Sequence, residues 1–72
     1  MKNEILNNGI EICGVWCVKN LSNKTLAILR GIKINHGLTA SQLDIKTTYD
    51  LNSVEIDIEI LDQLLKLPEL NN

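Results

Sequence analysis

The apolar pattern between residues 53 and 67 constrains the fold of this chain more than any other feature of its sequence. Apolar side chains recur there at the three- and four-residue spacing of an α-helix, which predicts a helix over about 53–67. They form two neighbouring bands, Val54, Ile58, Leu61 and Leu65 in the first and Ile56, Ile60, Leu64 and Leu67 in the second. A domain of 72 residues has little core with which to cover both bands. The second band is therefore predicted to bind a partner, with burial in the core as the alternative.

Two further helices are predicted before this one. The first covers about 22–35, where Ser22 or Asn23 supplies a side-chain cap at the start and Gly37 follows the end. The second covers about 39–48, and a short connection joins it to the last helix. The last two helices then have the spacing of a helix-turn-helix.

The N-terminal part of the chain carries the signals of strands. β-Branched and aromatic residues predict a strand over about 10–19, and a shorter strand is predicted at about 2–6, with a turn between them. Gly14 is either a bulge in one strand or the turn of a hairpin. The sequence thus predicts one α+β domain over 1–72, a winged helix-turn-helix-like fold with an N-terminal antiparallel sheet of two or three strands followed by three α-helices.

Charge and composition exclude several classes of function. The net charge is −2, and most acidic residues lie after position 43, so the last helix is acidic. An acidic helix repels a phosphate backbone. Trp16 and Tyr49 are the only aromatic residues, whereas single-stranded nucleic acids are bound by stacking on aromatic side chains. We expect no nucleic-acid partner.

No catalytic, metal or cofactor site is predicted. Cys13 and Cys17 match neither a redox nor a metal-binding spacing, and His36, the only histidine, has no evident catalytic partner. No signal peptide and no apolar run of membrane-spanning length is visible. We expect a cytoplasmic protein that is not an enzyme and does not bind a membrane.

Short motifs spread over about residues 9–67 resemble the PqqD-like family, whose members are also called RiPP recognition elements. The matching positions are Leu21 and Thr25, Thr39 and Leu43, Tyr49-Asp50-Leu51, and Asp57, Ile58, Leu61 and Leu64. The resemblance implies a non-enzymatic winged-helix module that binds the leader segment of a ribosomally synthesised precursor peptide. Such a module holds the leader as an added β-strand and presents the rest to a modifying enzyme or protease of the same pathway.

The predicted peptide site combines a strand edge with the last helix. An exposed sheet edge offers unpaired backbone groups to an extended peptide, and nearby pockets read its side chains. The strand contributes Val15, Trp16, Cys17, Val18 and Lys19. The helix contributes Glu55, Ile56, Glu59, Ile60 and Gln63.

Two other functions remain open at this stage. The first is a winged helix-turn-helix DNA-binding regulator, although its recognition helix would be acidic where DNA readers carry Arg, Lys, Asn or Gln. The second is a small phage or plasmid protein-interaction or inhibitor module that dimerises through the second apolar band. Both a monomer and a homodimer are compatible with the sequence.

Overall fold

The computed structural model describes residues 1–47 and 52–71. These residues form an α+β fold with a four-stranded antiparallel sheet and three α-helices, which confirms the predicted α+β class. The elements in chain order are α1 (Lys2–Asn7), β1 (Gly9–Ile12), β2 (Val15–Val18), α2 (Asn23–Asn35), β3 (Leu43–Thr47), β4 (Asn52–Asp57) and α3 (Ile58–Leu65), followed by a 3-10 turn at Pro68–Leu70. None of the helices in this part of the chain is long and apolar enough to cross a membrane.

The sheet is built from two hairpins that α2 connects. Its strand order is β1-β2-β4-β3, and every neighbouring pair is antiparallel. Between β1 and β2, Cys13 and Gly14 both have positive φ, 51° and 80°. Positive φ at both central residues gives a two-residue turn whose twist matches that of the strands. Gly14 is therefore part of a hairpin turn and not a bulge.

The core lies between one face of the sheet and the helices. α2 buries Leu26, Leu29 and Ile32 against this face. The sheet contributes Val18, Leu43, Val54 and Ile56, each almost completely buried. Ile5 of α1 and Leu61 and Leu64 of α3 complete the same cluster.

The predicted helix over 39–48 is wrong for the residues that the structure describes. Residues 43–47 form β3, and a turn precedes them in which the Thr39 carbonyl accepts from the amides of Gln42 and Leu43, at 3.0 and 2.9 Å. Leu43 and Ile45 alternate with polar residues, which is the period of a half-buried strand.

The predicted helix over 53–67 is wrong in its first half. Residues 52–57 form β4, and α3 begins only at Ile58, where the Asp57 side chain accepts from the Glu59 amide at 3.1 Å. Val54 and Ile56 are two residues apart, which is the period of a strand, so they fit a strand as well as they fit the two predicted bands. A β-hairpin thus lies where the helix-turn-helix was predicted, and the described residues contain no such motif.

The N-terminal segment also differs from its prediction. Residues 2–6 were predicted as strand but belong to α1. The Glu4 carboxylate fixes this helix to the start of α2, because it accepts from the Ser22 amide at 3.0 Å and from the Thr25 hydroxyl at 2.9 Å. α2 itself lies close to its predicted span, with Ser22 as its N-cap.

Candidate functional site

One face of the sheet is not covered by the helices, and three of the predicted site residues lie on it. Residues that pair directly across antiparallel strands share a face. Cys17 pairs with Ile10 on one side and with Glu55 on the other, and Val15 pairs with Ile12. We call the uncovered surface that these side chains share the open face.

The open face is apolar over one half. Ile10 and Ile12 of β1 are 62% and 53% exposed, and they are two of the four large apolar side chains that are exposed among the described residues. Val15 and Cys17 of β2 lie beside them and are half-buried. A contiguous apolar patch on the surface of a small domain indicates an interaction site more often than a scattered exposed side chain does.

The other half of the open face is charged. Glu55 and Asp57 of β4 and Asp44 and Lys46 of β3 lie on it. The Lys46 Nζ atom donates to Glu55 Oε1 at 3.1 Å and lies 3.8 Å from Asp44 Oδ2. The Glu55 carboxylate, through this hydrogen bond and its charge, raises the pKa of Lys46. Three acids against one base leave this half negative.

β1 presents a free backbone edge next to the apolar half. Among the described strands β1 has only β2 as a neighbour. The Lys19 amide donates to the Asn8 carbonyl at 3.3 Å. Because antiparallel pairs alternate, Asn8, Ile10 and Ile12 direct their backbone groups toward β2. Gly9 and Glu11 therefore direct their N–H and C=O groups away from the sheet, where a further strand could bind them.

The structure does not assemble the predicted site as a whole. β2 lies between β1 and β4, so residues 15–18 are not an edge. Trp16 and Val18 point toward the core, and Trp16 donates its indole N–H to the Ile5 carbonyl at 2.8 Å. Lys19 is exposed just beyond β2. The predicted strand edge is therefore displaced by one strand, to β1.

The site residues that were predicted on the last helix lie in three different places. Ile56 is completely buried, so it offers no surface to a ligand. Glu55 lies on the open face, whereas Glu59 and Gln63 are exposed on α3 and Ile60 is half-buried against the core. Since α3 packs into the core, its residues do not join Val15, Cys17 and Glu55.

Sequence reasoning missed the residues that contribute most to the open face. Ile10 and Ile12 alternate with Gly9 and Glu11 directly after a turn signal, which is the pattern of a short strand with two different faces. That alternation could have indicated exposed isoleucines. Tyr49, Asp50 and Leu51, which contribute to the family resemblance, lie outside the described residues.

The described part of the chain does not bring together the ligands of a metal site. No three His, Cys, Asp or Glu side chains there are placed to share a metal ion. Cys13 and Cys17 are free thiols, the first exposed and the second half-buried. The His36 Nε2 atom lies 2.9 Å from Glu69 Oε2. The hydrogen bond between this imidazole ring and the Glu69 carboxylate lowers the pKa of Glu69.

Comparison of this chain with protein-family models, with curated proteins and with solved structures gives no match.

Proposed function

We propose that this chain is a cytoplasmic, non-enzymatic peptide-binding module that holds an extended peptide along the free edge of β1. The observation that carries the proposal is the combination of two exposed isoleucines, Ile10 and Ile12, with an unpaired backbone edge on the same strand. An added strand satisfies the backbone groups of such an edge, and the alternate side chains supply specificity. The family resemblance adds the ligand class, the leader segment of a precursor peptide that is then presented to modifying enzymes.

Strand addition needs a sheet edge and does not need a winged helix. The difference between the predicted helices and the hairpin of β3 and β4 therefore leaves this proposal intact. What changes is the position of the site, from residues 15–19 to β1 and the apolar half of the open face.

The alternation along β1 specifies what sequence the peptide should have. Residues beside Ile10 and Ile12 would lie on the open face, and apolar side chains there would extend the patch that Val15 and Cys17 begin. The residue between them would lie beside Glu11, which is exposed. A basic side chain suits this position, because opposite charges on neighbouring strands stabilise the pair by about 0.2–1 kcal/mol. We therefore expect the central triplet of the peptide to be apolar, basic, apolar.

The charged half of the open face also favours a peptide with basic residues. Asp44, Glu55 and Asp57 exceed Lys46 in charge, so basic residues flanking the triplet are attracted and phosphates are repelled. A DNA-binding regulator has no support from this surface. A protein-interaction module that uses the apolar half against a folded partner is the remaining alternative, since the isoleucines of this half are exposed.

A pair of synthetic peptides tests the proposal. Each contains a central triplet flanked by Gly and Ser, with isoleucines at the outer positions and either Lys or Glu between them. Amide NMR titration of the labelled protein should show shifts at residues 9–12 and tighter binding of the Lys peptide. In Glu11→Lys the preference should reverse, because the charge that the peptide meets has changed sign.

Matched isoleucine variants distinguish binding at β1 from non-specific binding to exposed apolar side chains. Ile10→Thr and Ile12→Thr keep a β-branched residue and should weaken binding of the Lys peptide. Ile34→Thr is the control, because Ile34 is 80% exposed but lies on α2. Equal loss in all three variants, or shifts that avoid β1, would contradict peptide capture by strand addition. Binding of neither peptide would favour the folded-partner alternative.

A further inference from the structure

A second surface, independent of the sheet, lies along α2. It is an open groove of about 620 Å³, within the range of ~300–1,000 Å³ that ligand sites usually have. Ile28, Gly31 and Ile32 line its middle. Lys24 lines one end, and Asn35 and Glu69 line the other, about 16 Å away at the rise of an α-helix. Met1 also lines the groove. The groove is thus apolar in the middle, with Lys24 at one end and Glu69, which is hydrogen-bonded to His36, at the other.

Gly31 keeps the middle of this groove open. It lies within α2, where glycine destabilises a helix relative to alanine. A Cβ atom built on Gly31 would meet nothing within 4 Å, so no neighbour in this domain requires glycine there. The missing side chain leaves a depression in the groove that none of the neighbouring side chains fills.

The order of these residues along α2 makes the groove complementary to itself. When two copies of α2 pack antiparallel about a two-fold axis between residues 29 and 30, Ile28 of each copy lies opposite Gly31 of the other. The same register places Lys24 opposite Asn35, next to Glu69, of the second copy. In the middle of the interface, Ile28 of each copy therefore faces the depression at Gly31 of the other. At each end, Lys24 of one copy faces Glu69 of the other.

We propose that this groove is a dimer interface, and that its occupant is α2 of a second copy of this chain. A two-fold interface uses the same patch on both copies and must be self-complementary, and Lys24 of α2 with Glu69 of the 3-10 turn meets that requirement. A small residue at the contact permits the closest approach of the two helix axes. The proposal uses no residue of β1, so it stands or fails separately from peptide binding.

Sedimentation equilibrium of the intact chain at several protein concentrations tests this directly. The wild-type protein should show a concentration-dependent dimer. Gly31→Gln should weaken dimerisation at least tenfold, because its long side chain fills the depression. Gln is a good helix former and its Cβ meets no neighbour. At protein concentrations at which both proteins are monomeric, circular dichroism and a urea unfolding curve should therefore show an intact and no less stable fold.

Charge exchange tests the antiparallel arrangement. Lys24→Glu alone and Glu69→Lys alone should each weaken the dimer several-fold at low salt, because each places like charges at both ends. The double variant should recover most of the wild-type affinity. A purely structural role of Glu69 would leave the double variant as weak as Glu69→Lys.

Two results would overturn the proposal. The first is a wild-type chain that stays monomeric up to the highest concentration at which it remains soluble, which would leave the groove to a different helix or a small apolar ligand. The second is a dimer that Gly31→Gln does not affect, since the copies would then meet elsewhere, with the free edge of β1 as the next surface to examine.

Discussion

Exchange of two glycines for alanine should change the stability of this domain in opposite directions. Gly9 lies under the indole ring of Trp16, and a Cβ atom added to Gly9 would overlap that ring. Gly31 has open space at the corresponding position. The same chemical change therefore meets a packed neighbour at one site and none at the other.

The cost at Gly9 follows from what the indole must give up in order to move. Overpacking of a filled site typically costs about 1–3 kcal/mol. Displacement of the ring also strains or breaks the 2.8 Å hydrogen bond from Trp16 to the Ile5 carbonyl, which contributes about 0.5–1.5 kcal/mol. Gly9→Ala should thus lower the free energy of unfolding by about 2–4 kcal/mol. Since a domain of this size has a net stability of only about 3–5 kcal/mol, the variant should be close to unfolded.

Urea unfolding followed by Trp16 fluorescence and by circular dichroism measures both variants. With a slope of about 1 kcal/mol per molar urea for a domain this small, Gly9→Ala should lower the midpoint by about 2 M or more. Gly31→Ala, the matched control, should raise the free energy of unfolding of the monomer by about 0.5–1 kcal/mol, the usual gain of alanine over glycine inside a helix. A Gly9→Ala protein as stable as the wild type would show that Trp16 does not pack over Gly9.

Three further outcomes are expected. Ile56→Ala should destabilise the fold by about 2–5 kcal/mol, whereas Ile12→Thr should change its stability by no more than about 0.5 kcal/mol; equal effects in urea unfolding would contradict their opposite burial. The hydrogen bond from the Ser22 amide is the main cause that lowers the pKa of Glu4, so its stabilising contribution is present above the unfolded value near 4.5 and is lost as pH falls through the lower folded value. Glu4→Gln should therefore lose less stability than the wild type between pH 7 and pH 3, and a steeper loss would contradict this contact. Cys13 should react with a thiol reagent faster than the half-buried Cys17, as tested in single Cys→Ser variants, and the reverse order would place the hairpin turn against the core.

The coarse class of the fold was predictable, because β1, β2 and α2 have clear local signals, although the segment that forms α1 was predicted as a strand. α2 has an N-cap and a run of apolar residues at helical spacing that ends at a glycine with positive φ. Local chemistry determines such an element, and tertiary contacts have little to add.

The second half of the chain was mispredicted because its apolar residues satisfy two periods at once. Val54, Ile56, Ile58 and Ile60 alternate as in a strand, whereas Val54, Ile58 and Leu61 are spaced as in a helix. The change from strand to helix occurs at Asp57, whose carboxylate caps α3. Asp before an apolar run is a recognised helix start, so this boundary could have been found, but the choice of strand before it depends on pairing with β2.

The candidate site was predictable in kind but not in place. An exposed strand edge with apolar neighbours was expected, and Val15, Cys17 and Glu55 do lie on one surface. Which strand forms the edge depends on strand order, and strand order is fixed only when the second hairpin pairs with the first. No local pattern contains that information.

The same pairing has a consequence for how fast the domain folds. The paired strands β1 and β2 are close in sequence, and so are β3 and β4, but β2 and β4 bring Val15 next to Asp57, residues that lie toward opposite ends of the chain. Closing this longer segment costs more entropy than closing a short connection before any contact forms, and folding rates fall as such distant contacts come to dominate. The hairpins should therefore form within microseconds, with the joining of β2 to β4 as the slow step. Substitutions at the contact between β2 and β4 should slow refolding, whereas substitutions in the outer strands β1 and β3 should mainly speed unfolding.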